Sequence, residues 1–325
     1  MVHNTGALIV RLLMVLCWGG LLFSSVLNAE ERIAPIIAPI SEAAEETPLV
    51  VRYSYNTSDP VYLRRAIYVG RLLDMVLSKS GSPYVLEISE VKTTPSVRTA
   101  EELSRGYYDV SAVHTNTKLE QELRPIRYPI FRGLTGWRIM FIRQESRRQF
   151  AALQTAEQLK LLTAGQGHNW PDNSILLHNG YSLRTGVNRN SLYKLLTYNR
   201  IDYFPRGVYQ IWNEQELLAP EGVVIDTNVL LRYPTATYFF VPIEHENMAR
   251  VLEKGFEVAL EDGSFHAFFR EEMGLFIFKG QLGKRVVFDM DNPNLPPETP
   301  LKRKELWFDL EELKQADWAT PKAMK

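Results

Sequence analysis

The sequence predicts an α/β protein of two lobes, each built on a mostly parallel β-sheet. The first half of the chain carries three apolar, β-prone runs, at residues 48–54, 84–88 and 108–113. Helical patterns separate them, and residues 159–204 repeat this rhythm, which indicates βαβ units. Two further apolar segments flank that middle block, at 137–142 and 237–241. We therefore expect two hinge strands that cross between the lobes.

Apolar residues at helical spacing and local start signals place the helices between these strands. The predicted helices span residues 62–78, 99–103, 171 onward, 189–199, 244–260 and 265–272. The predicted strands of the middle block span residues 159–163, 181–185 and 201–204. Residues 165–170 are predicted as a turn, and the next helix begins near Pro171 because proline suits the first helical turn.

Composition and charge argue against two classes of partner, nucleic acids and anionic membranes. The 325 residues carry a formal net charge of −1, with 45% hydrophobic and 23% charged residues. Acids and bases are interspersed, so the chain lacks the clustered basic charge that nucleic acid or an anionic membrane requires. We expect a globular monomer that does not bind nucleic acid.

The first 29 residues have the organisation of a secretory signal peptide. Arg11 precedes a short apolar run over 12–23, and small and polar residues then lead to Ala29. A retained membrane anchor is the alternative, but this run is shorter than the about 20 apolar residues that a spanning helix needs. Leu16 before Cys17 is too large for a lipid-attachment site. We expect cleavage near Ala29 and export to the periplasm.

Cysteine and histidine usage argues against disulfides and metals. Cys17 is the only cysteine of the chain and lies inside the predicted signal peptide. A mature chain without thiols has no disulfide, no cysteine nucleophile and no cysteine-ligated zinc. None of the six histidines forms a pair at metal-site spacing, so we expect no metal and no other cofactor.

These observations divide the chain into six segments. They are a signal peptide (1–29), a linker (30–47), the first part of lobe 1 (48–140), lobe 2 (141–236), the second part of lobe 1 (237–285) and a proline-rich C-terminal extension (286–325). Proline is concentrated in residues 292–301, so we expect the extension to lie extended over the surface.

Three segments of the chain resemble a known family, namely residues 108–115, the Gly165-Gln166-Gly167 turn and residues 199–204. Their order resembles that of bacterial extracellular solute-binding protein family 3, the type II periplasmic receptors of amino-acid ABC transporters. The resemblance covers most of residues 48–275, and residues 165–172 with 204–206 more closely resemble a proteobacterial subgroup of exported proteins. It implies a type II periplasmic binding protein fold, a small polar ligand, and an inner-membrane permease or sensor as partner. Such a resemblance transfers the fold better than the ligand.

Loops at the carboxyl ends of parallel strands form the binding crevice of open α/β sheets. The predicted ligand-binding residues lie at such strand ends: Tyr53, Tyr55, His114, Thr115, Asn116, Gly165, Gln166, Gly167, His168 and Arg206. Each group also has an ordinary structural interpretation. Residues near Tyr55 suit a strand-to-helix turn, those near Asn116 suit a helix cap, and the glycines suit a tight turn.

Arg206 departs most clearly from what the resemblance implies. Amino-acid receptors end the corresponding strand with a carboxylate that holds the α-ammonium group of the ligand, whereas this chain has Phe204-Pro205-Arg206-Gly207. A guanidinium suits a carboxylate or phosphate partner. The hypothesis is an anionic or non-amino-acid ligand at Arg206. The alternative is a salt bridge to Glu214 or Glu216.

The sequence therefore predicts a binding protein for transport or sensing, and not an enzyme. It has no nucleophile elbow, no phosphate loop and no supported Ser/His/Asp set. Two alternatives stay open. A dehydratase-like periplasmic enzyme of this fold needs a general acid, for which Asp59 is the one carboxylate at the predicted rim. A ligand-free interaction protein would instead dock a partner through residues 293–307, with Trp307 exposed.

Overall fold

Strands and helices alternate through most of the computed structural model, which describes residues 47–56, 60–91, 99–315 and 318. The strands are β1 (Leu49–Asn56), β2 (Tyr84–Val91), β3 (Ser111–His114), β4 (Arg124–Ile126), β5 (Trp137–Arg143), β6 (Thr163–Gly167), β7 (Ser182–Gly186), β8 (Tyr203–Gly207), β9 (Val223–Ile225), β10 (Val229–Arg232), β11 (Thr237–Val241) and β12 (Val286–Asp289). The α-helices are α1 (Pro60–Lys79), α2 (Thr99–Ser104), α3 (Thr117–Glu122), α4 (Arg147–Ala151), α5 (Ala156–Lys160), α6 (Asp172–His178), α7 (Arg189–Thr197), α8 (Ile211–Leu217), α9 (Glu246–Glu261) and α10 (Ser264–Gly280).

The predicted signal peptide and nearly all of the predicted linker lie outside the described residues. Within the described ranges, no helix combines the length and the apolar composition that crossing a membrane would take.

The first sheet has the spatial order β2-β1-β3-β11-β4. β1 and β2 pair in parallel, and β11 pairs antiparallel with both β3 and β4. A parallel bridge between Tyr53 and Val110 joins these two groups of strands. Helix α1 packs on β1 and β2, and its buried residues recur at helical spacing, as in the run Tyr68, Val69, Leu72, Leu73, Val76 and Leu77.

The second sheet has the order β12-β10-β5-β8-β6-β7, and β9 also pairs with β5. β6 pairs in parallel with β7 and β8, as the alternating pattern predicts. β5 pairs antiparallel with β8, β9 and β10, so the sheet is mixed and not mostly parallel. The chain enters this sheet from the first sheet at β5, and β5 runs in the opposite direction to β8, β9 and β10.

The chain crosses between the two sheets just before each of the two predicted hinge strands. Residues 127–136 lead from β4 to β5 and form the first crossing segment, and residues 233–236 lead from β10 back to β11 and form the second crossing segment. β5 and β11 themselves each pair within a single sheet, so the crossing precedes both strands. A third crossing after α10 brings β12 parallel to β10, which makes the start of the proline-rich extension part of the second sheet.

The two crossing segments touch backbone to backbone at Gly136. The amide of Tyr233 donates a hydrogen bond to the carbonyl of Gly136 at 3.2 Å. A Cβ atom at position 136 would lie 2.1 Å from the carbonyl oxygen of Tyr233, so any larger residue would force the segments apart. This close contact fixes the position of Tyr233 relative to the first crossing segment.

Aromatic rings continue the core of the first lobe through the first crossing segment. Phe131 stacks on Tyr68 of α1 with ring centroids 4.6 Å apart, and on Tyr209 after β8 with centroids 5.1 Å apart. All three rings are buried. Offset aromatic pairs of this kind add to the stabilisation from apolar burial, so the crossing segment is part of the core.

The element before α6 differs from its prediction. Residues 159–163 were expected as a strand, but Leu159 lies in α5, which begins with a capping box between Thr155 and Gln158. The strand starts later, as β6 over Thr163–Gly167. The predicted glycine turn therefore lies inside a strand. A Cβ at Gly165 would approach Ile201 Cδ1 to 2.2 Å, so the glycine serves close packing against the sheet.

Replacing Gly136 with alanine should lower the free energy of unfolding by about 1–3 kcal/mol, because the new methyl group overlaps the Tyr233 carbonyl. Urea denaturation of the purified protein measures this change. Gly283→Ala is the matched control, since its Cβ would meet no heavy atom closer than 3.5 Å. Equal losses in the two variants would contradict the close approach.

Candidate functional site

A buried charged group lies between the two sheets, where Arg138, Asp172 and Tyr233 meet. Arg138 is the second residue of β5, Asp172 begins α6 after the short loop that follows β6, and Tyr233 follows β10. Arg138 Nη2 donates to Asp172 Oδ1 at 3.0 Å, and the Tyr233 hydroxyl donates to the same oxygen at 2.7 Å. Arg138 Nε donates to the Tyr233 hydroxyl oxygen at 3.0 Å. All three residues are less than one tenth exposed.

The protonation states of this group follow from burial and from its mutual contacts. Burial raises the pKa of Tyr233; the charge of Arg138 opposes this rise, and the Asp172 carboxylate adds to it. Burial opposes the charge of Arg138, but Asp172 and Tyr233 outweigh it and raise the pKa of the guanidinium. At neutral pH the group therefore holds a charged Arg138 and a protonated Tyr233.

His114 approaches this group from the end of β3 in the first sheet. Its Nδ1 lies 3.4 Å from Thr237 Oγ1 of β11. Burial lowers the pKa of His114 to about 3, and the charges of Arg65 and Arg138 lower it too, while Asp172 opposes them. The imidazole is therefore neutral at pH 7 and offers one donor and one acceptor.

Arg65 of α1, in the first lobe, is the second guanidinium near His114. Its Nη2 donates to the Ala112 carbonyl at 3.4 Å, and its Cζ lies 5.8 Å from the centre of the Phe131 ring. Among the described residues, no carboxylate lies within 4.0 Å of Arg65. Since no described carboxylate pairs with it, this half-buried guanidinium is a ready binding group for an anion.

We call Arg65, His114, Arg138, Asp172 and Tyr233 the cleft cluster. Two guanidinium groups face one carboxylate, and the histidine and the tyrosine are neutral, so the cluster has one excess positive charge. Residues from both lobes contribute to it. Its chemistry suits a small ligand with a negatively charged oxygen group.

Gln166 is the predicted site residue with the most unusual surroundings. It is fully buried, and neither its amide oxygen nor its amide nitrogen has a hydrogen-bond partner among the described residues. Residues two apart on a strand share a face, so Gln166 points to the same side of the sheet as Ala164, which packs with Ile175 and Leu176 of α6. An unpaired buried amide is costly.

The residues predicted at the ends of β1 and β3 divide between structural roles and the cluster. Tyr53 is a buried core residue of the first lobe, and the side chain of Tyr55 lies outside the described residues, as does Asp59. Asn116 caps α3 by accepting a hydrogen bond from the Leu119 amide at 2.9 Å. Thr115 is buried and donates to Glu120, so of this loop only His114 joins the cleft cluster.

The glycine segment forms a strand, and its glycines allow close packing. Gly165, Gln166 and Gly167 pair with β7 inside the second sheet. A Cβ at Gly167 would lie 2.3 Å from the indole of Trp170, so this glycine makes room for a core ring. His168 follows the strand, is exposed, and its Nδ1 lies 2.9 Å from Thr185 Oγ1.

Arg206 has a structural partner on the other side of the second sheet. Its Nε donates to Glu214 Oε2 at 2.8 Å, its Nη2 donates to Oε1, and its guanidinium stacks 4.4 Å from the Trp170 ring centre. In the β5–β8 register Arg206 is opposite Ile139, whereas Arg138 is opposite Gly207. Neighbouring residues alternate between faces, so Arg206 points away from the cleft cluster. The salt bridge to Glu214, the alternative interpretation, is what the structure contains.

Sequence reasoning did not single out Arg65, Arg138, Asp172 or Tyr233 as site residues. One signal was available for Arg138, which is a charged residue inside the apolar segment 137–142. A charge in a buried strand needs a partner, and that need marks a polar site. Within the described ranges, no group of three or more His, Cys, Asp or Glu side chains is placed to hold a metal ion.

The fold resembles solved periplasmic binding proteins. The probable amino-acid ABC transporter extracellular-binding protein ytmK from Bacillus subtilis aligns with a TM-score of 0.53 at 13% identity, over 70% of this chain and 99% of that chain. The BvgS VFT2 domain of Bordetella pertussis, in a double-mutant form, aligns with a TM-score of 0.50 at 16% identity, over 68% and 91%. These likenesses confirm the predicted two-lobed fold. No protein-family model and no curated protein sequence matches the chain.

Replacing His114 with glutamine should remove one source of acid sensitivity. The folded pKa of about 3 lies below the ordinary 6.5, so the unfolded chain takes up the proton first. The stability that neutral His114 contributes above pH 6.5 is then lost as the pH falls toward 3. Urea denaturation at about pH 7 and about pH 5 should show a smaller loss in the variant than in the wild type.

His178→Gln is the control for this experiment, because His178 is exposed on α6 and should leave the pH dependence unchanged. If the free energy of unfolding depended on pH identically in His114→Gln and the wild type, the lowered pKa of His114 would be contradicted.

Replacing Gln166 with methionine, which has a similar volume, should raise the free energy of unfolding by about 1 kcal/mol, because it removes two unpaired polar atoms from the core. Thermal and urea denaturation measure the gain. Gln149→Met, at an exposed position of α4, should change stability by less than about 0.5 kcal/mol. A destabilised Gln166→Met variant would mean that the amide has a bound partner.

Proposed function

We propose that this chain is a solute-binding protein whose lobes close over a small polar, anionic ligand. The observation that carries the proposal is the cleft cluster, in which Arg65 and His114 from the first lobe face Arg138 and Asp172 from the second lobe. Two lobes joined by crossing segments can close around a ligand by hinge bending, as periplasmic binding proteins do. Closure would bring polar groups of both lobes onto one ligand.

The contacts within the cluster favour an anion without a cationic group. Asp172 accepts from Arg138 and from the Tyr233 hydroxyl, so its carboxylate is already neutralised. Arg65 contributes a charge that no described carboxylate matches, and a guanidinium binds a carboxylate or phosphate with two parallel hydrogen bonds. The anionic ligand that the sequence suggested at Arg206 is therefore proposed at Arg65 and Arg138.

Export belongs to the proposal as well. Signal-peptide cleavage near Ala29 would release the chain into the periplasm, where a monomer would deliver its ligand to an inner-membrane permease or present it to a sensor. An ABC-transporter binding protein among the structural neighbours supports the first partner. The BvgS domain among them is a second setting in which this fold occurs.

The proposed activity is binding and not catalysis. The one carboxylate in the cleft cluster is held by Arg138 and Tyr233, so it is poorly placed to act as the general acid of a dehydratase. The alternative of a docking tail with an exposed tryptophan has little support, since Trp307 packs on Gly133 and its Nε1 donates to the Pro300 carbonyl at 3.0 Å.

Thermal-shift measurements with succinate, inorganic phosphate, L-arginine and glucose test this proposal, because a ligand that binds the native state raises the melting temperature. We expect a shift with one or both anions and none with glucose. Replacing Arg65 with glutamine should weaken the affinity for that anion by about 10–100-fold, the loss expected for one charged hydrogen-bonding partner.

Arg105→Gln, at an exposed ion pair on the surface of the first lobe, is the matched control and should bind the anion like the wild type. Absence of any shift with the anions, or equal affinity in Arg65→Gln, would contradict the proposal. Recovery of the anion unchanged after long incubation supports binding, and its conversion would support an enzyme.

A further inference from the structure

The residues that follow β12 run across the fold as a strap. We define residues 290–315 as the C-terminal strap. It starts at the second sheet, where Asn179 at the end of α6 donates from Nδ2 to the Asp291 carbonyl at 2.8 Å and accepts from the Asp291 amide at 3.0 Å. The first end of the strap is therefore attached to the second lobe.

The strap then contacts both crossing segments. Asn292 Nδ2 donates to the Pro234 carbonyl of the second crossing segment at 2.9 Å. The Phe308 amide donates to the Arg132 carbonyl of the first crossing segment at 2.8 Å. Gly133 has a φ of +79°, and a Cβ there would lie 2.6 Å from the Trp307 ring, so the strap lies directly on the backbone at this point.

The middle of the strap is attached to helices of the first lobe. Arg303 donates to both carboxylate oxygens of Glu257 on α9, at 2.8 and 3.2 Å. His266 Nε2 on α10 lies 2.8 Å from the Glu305 carbonyl oxygen. Since α9 packs on α1 and β4, these contacts tie the strap to the first sheet.

One ion pair near the C-terminal end of the strap is largely withdrawn from water. Arg132 is 3% exposed, and its two terminal nitrogens donate to Glu312 Oε2 at 2.8 Å and Oε1 at 2.9 Å. Arg132 Nη2 also donates to the Trp307 carbonyl at 3.1 Å. Separating such a pair leaves a buried charge without a partner, so the strap cannot leave the first crossing segment easily.

We propose that the C-terminal strap is a latch that limits hinge bending, and that the lobes separate fully only when Glu312 releases Arg132. Hinge bending changes the angle between the two sheets, and the crossing segments are where that change must occur. The strap is attached to the second lobe, to the first lobe and to both crossing segments. This inference goes beyond ligand binding, because it concerns the motion of the lobes in the free protein.

The strap also lies beside one residue of the cleft cluster, Tyr233. Tyr233 and Trp307 line the same cavity beside the crossing segments, while the Tyr233 hydroxyl binds Arg138 and Asp172. Release of the strap would therefore loosen one wall of the cluster.

The distance between the lobes measured by pulsed electron paramagnetic resonance tests the latch without any ligand. Spin labels are attached to Lys118→Cys on α3 and Glu157→Cys on α5, two exposed positions in different lobes, with Cys17→Ser to remove the native thiol. Adding Glu312→Gln should broaden the distance distribution and create a population with the lobes further apart.

Glu311→Gln is the matched control, because Glu311 is exposed and pairs only with the nearby Lys314 among the described ion pairs. Its distribution should equal that of the parent protein. If Glu312→Gln melts before it can be measured, Arg303→Gln, which breaks the exposed tie to Glu257, carries the same prediction. An unchanged distribution in a folded Glu312→Gln or Arg303→Gln variant would overturn the latch and leave the proposed ligand site unaffected.

Discussion

The backbone contact between Gly136 and Tyr233 is the constraint around which the site and the strap are arranged. It holds the two crossing segments together at the point where the chain changes sheets. Because the segments touch there, the Tyr233 side chain reaches Arg138 and Asp172 on one side while its neighbour Pro234 accepts a hydrogen bond from the strap. A small displacement at this contact would therefore move both the Tyr233 side chain in the cleft cluster and the attachment of the strap at Pro234.

The second lobe contains two buried arginine–carboxylate pairs, Arg138–Asp172 and Arg206–Glu214. Burial is therefore not enough to identify a ligand site. Arg206 has both carboxylate oxygens of Glu214 and an indole ring, so its charge is compensated within the lobe. Arg138 shares Asp172 with Tyr233, and its charge acts on His114 of the first lobe together with that of Arg65. Buried ion pairs contribute little net stability when both charges must be desolvated. The ligand site is proposed at Arg138 because of the other charged and polar groups near that pair.

The C-terminal strap changes what the fold can do. A protein with two crossing segments alone can bend at both of them, whereas this chain adds β12 to the second sheet and then returns to the helices of the first lobe. Every opening motion must therefore deform the strap or detach it. Ligand exchange in the cleft would then depend on interactions of Arg132 that lie outside the ligand site.

The sequence by itself determined the alternation of strands and helices and the two-lobed fold, because apolar periodicity and turn residues act over a few positions. It did not predict the short strands β4, β9, β10 and β12, and it placed the crossings in β5 and β11 instead of before them. It could not determine the cleft cluster, since Arg138 and Asp172 are 34 residues apart and Arg138 and Tyr233 are 95 apart. It also placed Gly165 and Gly167 in a turn, because the contacts of Ile201 and Trp170 that require glycine in a strand form only after packing. Tertiary structure decided which charges are compensated, and that decision depends on contacts between distant parts of the chain.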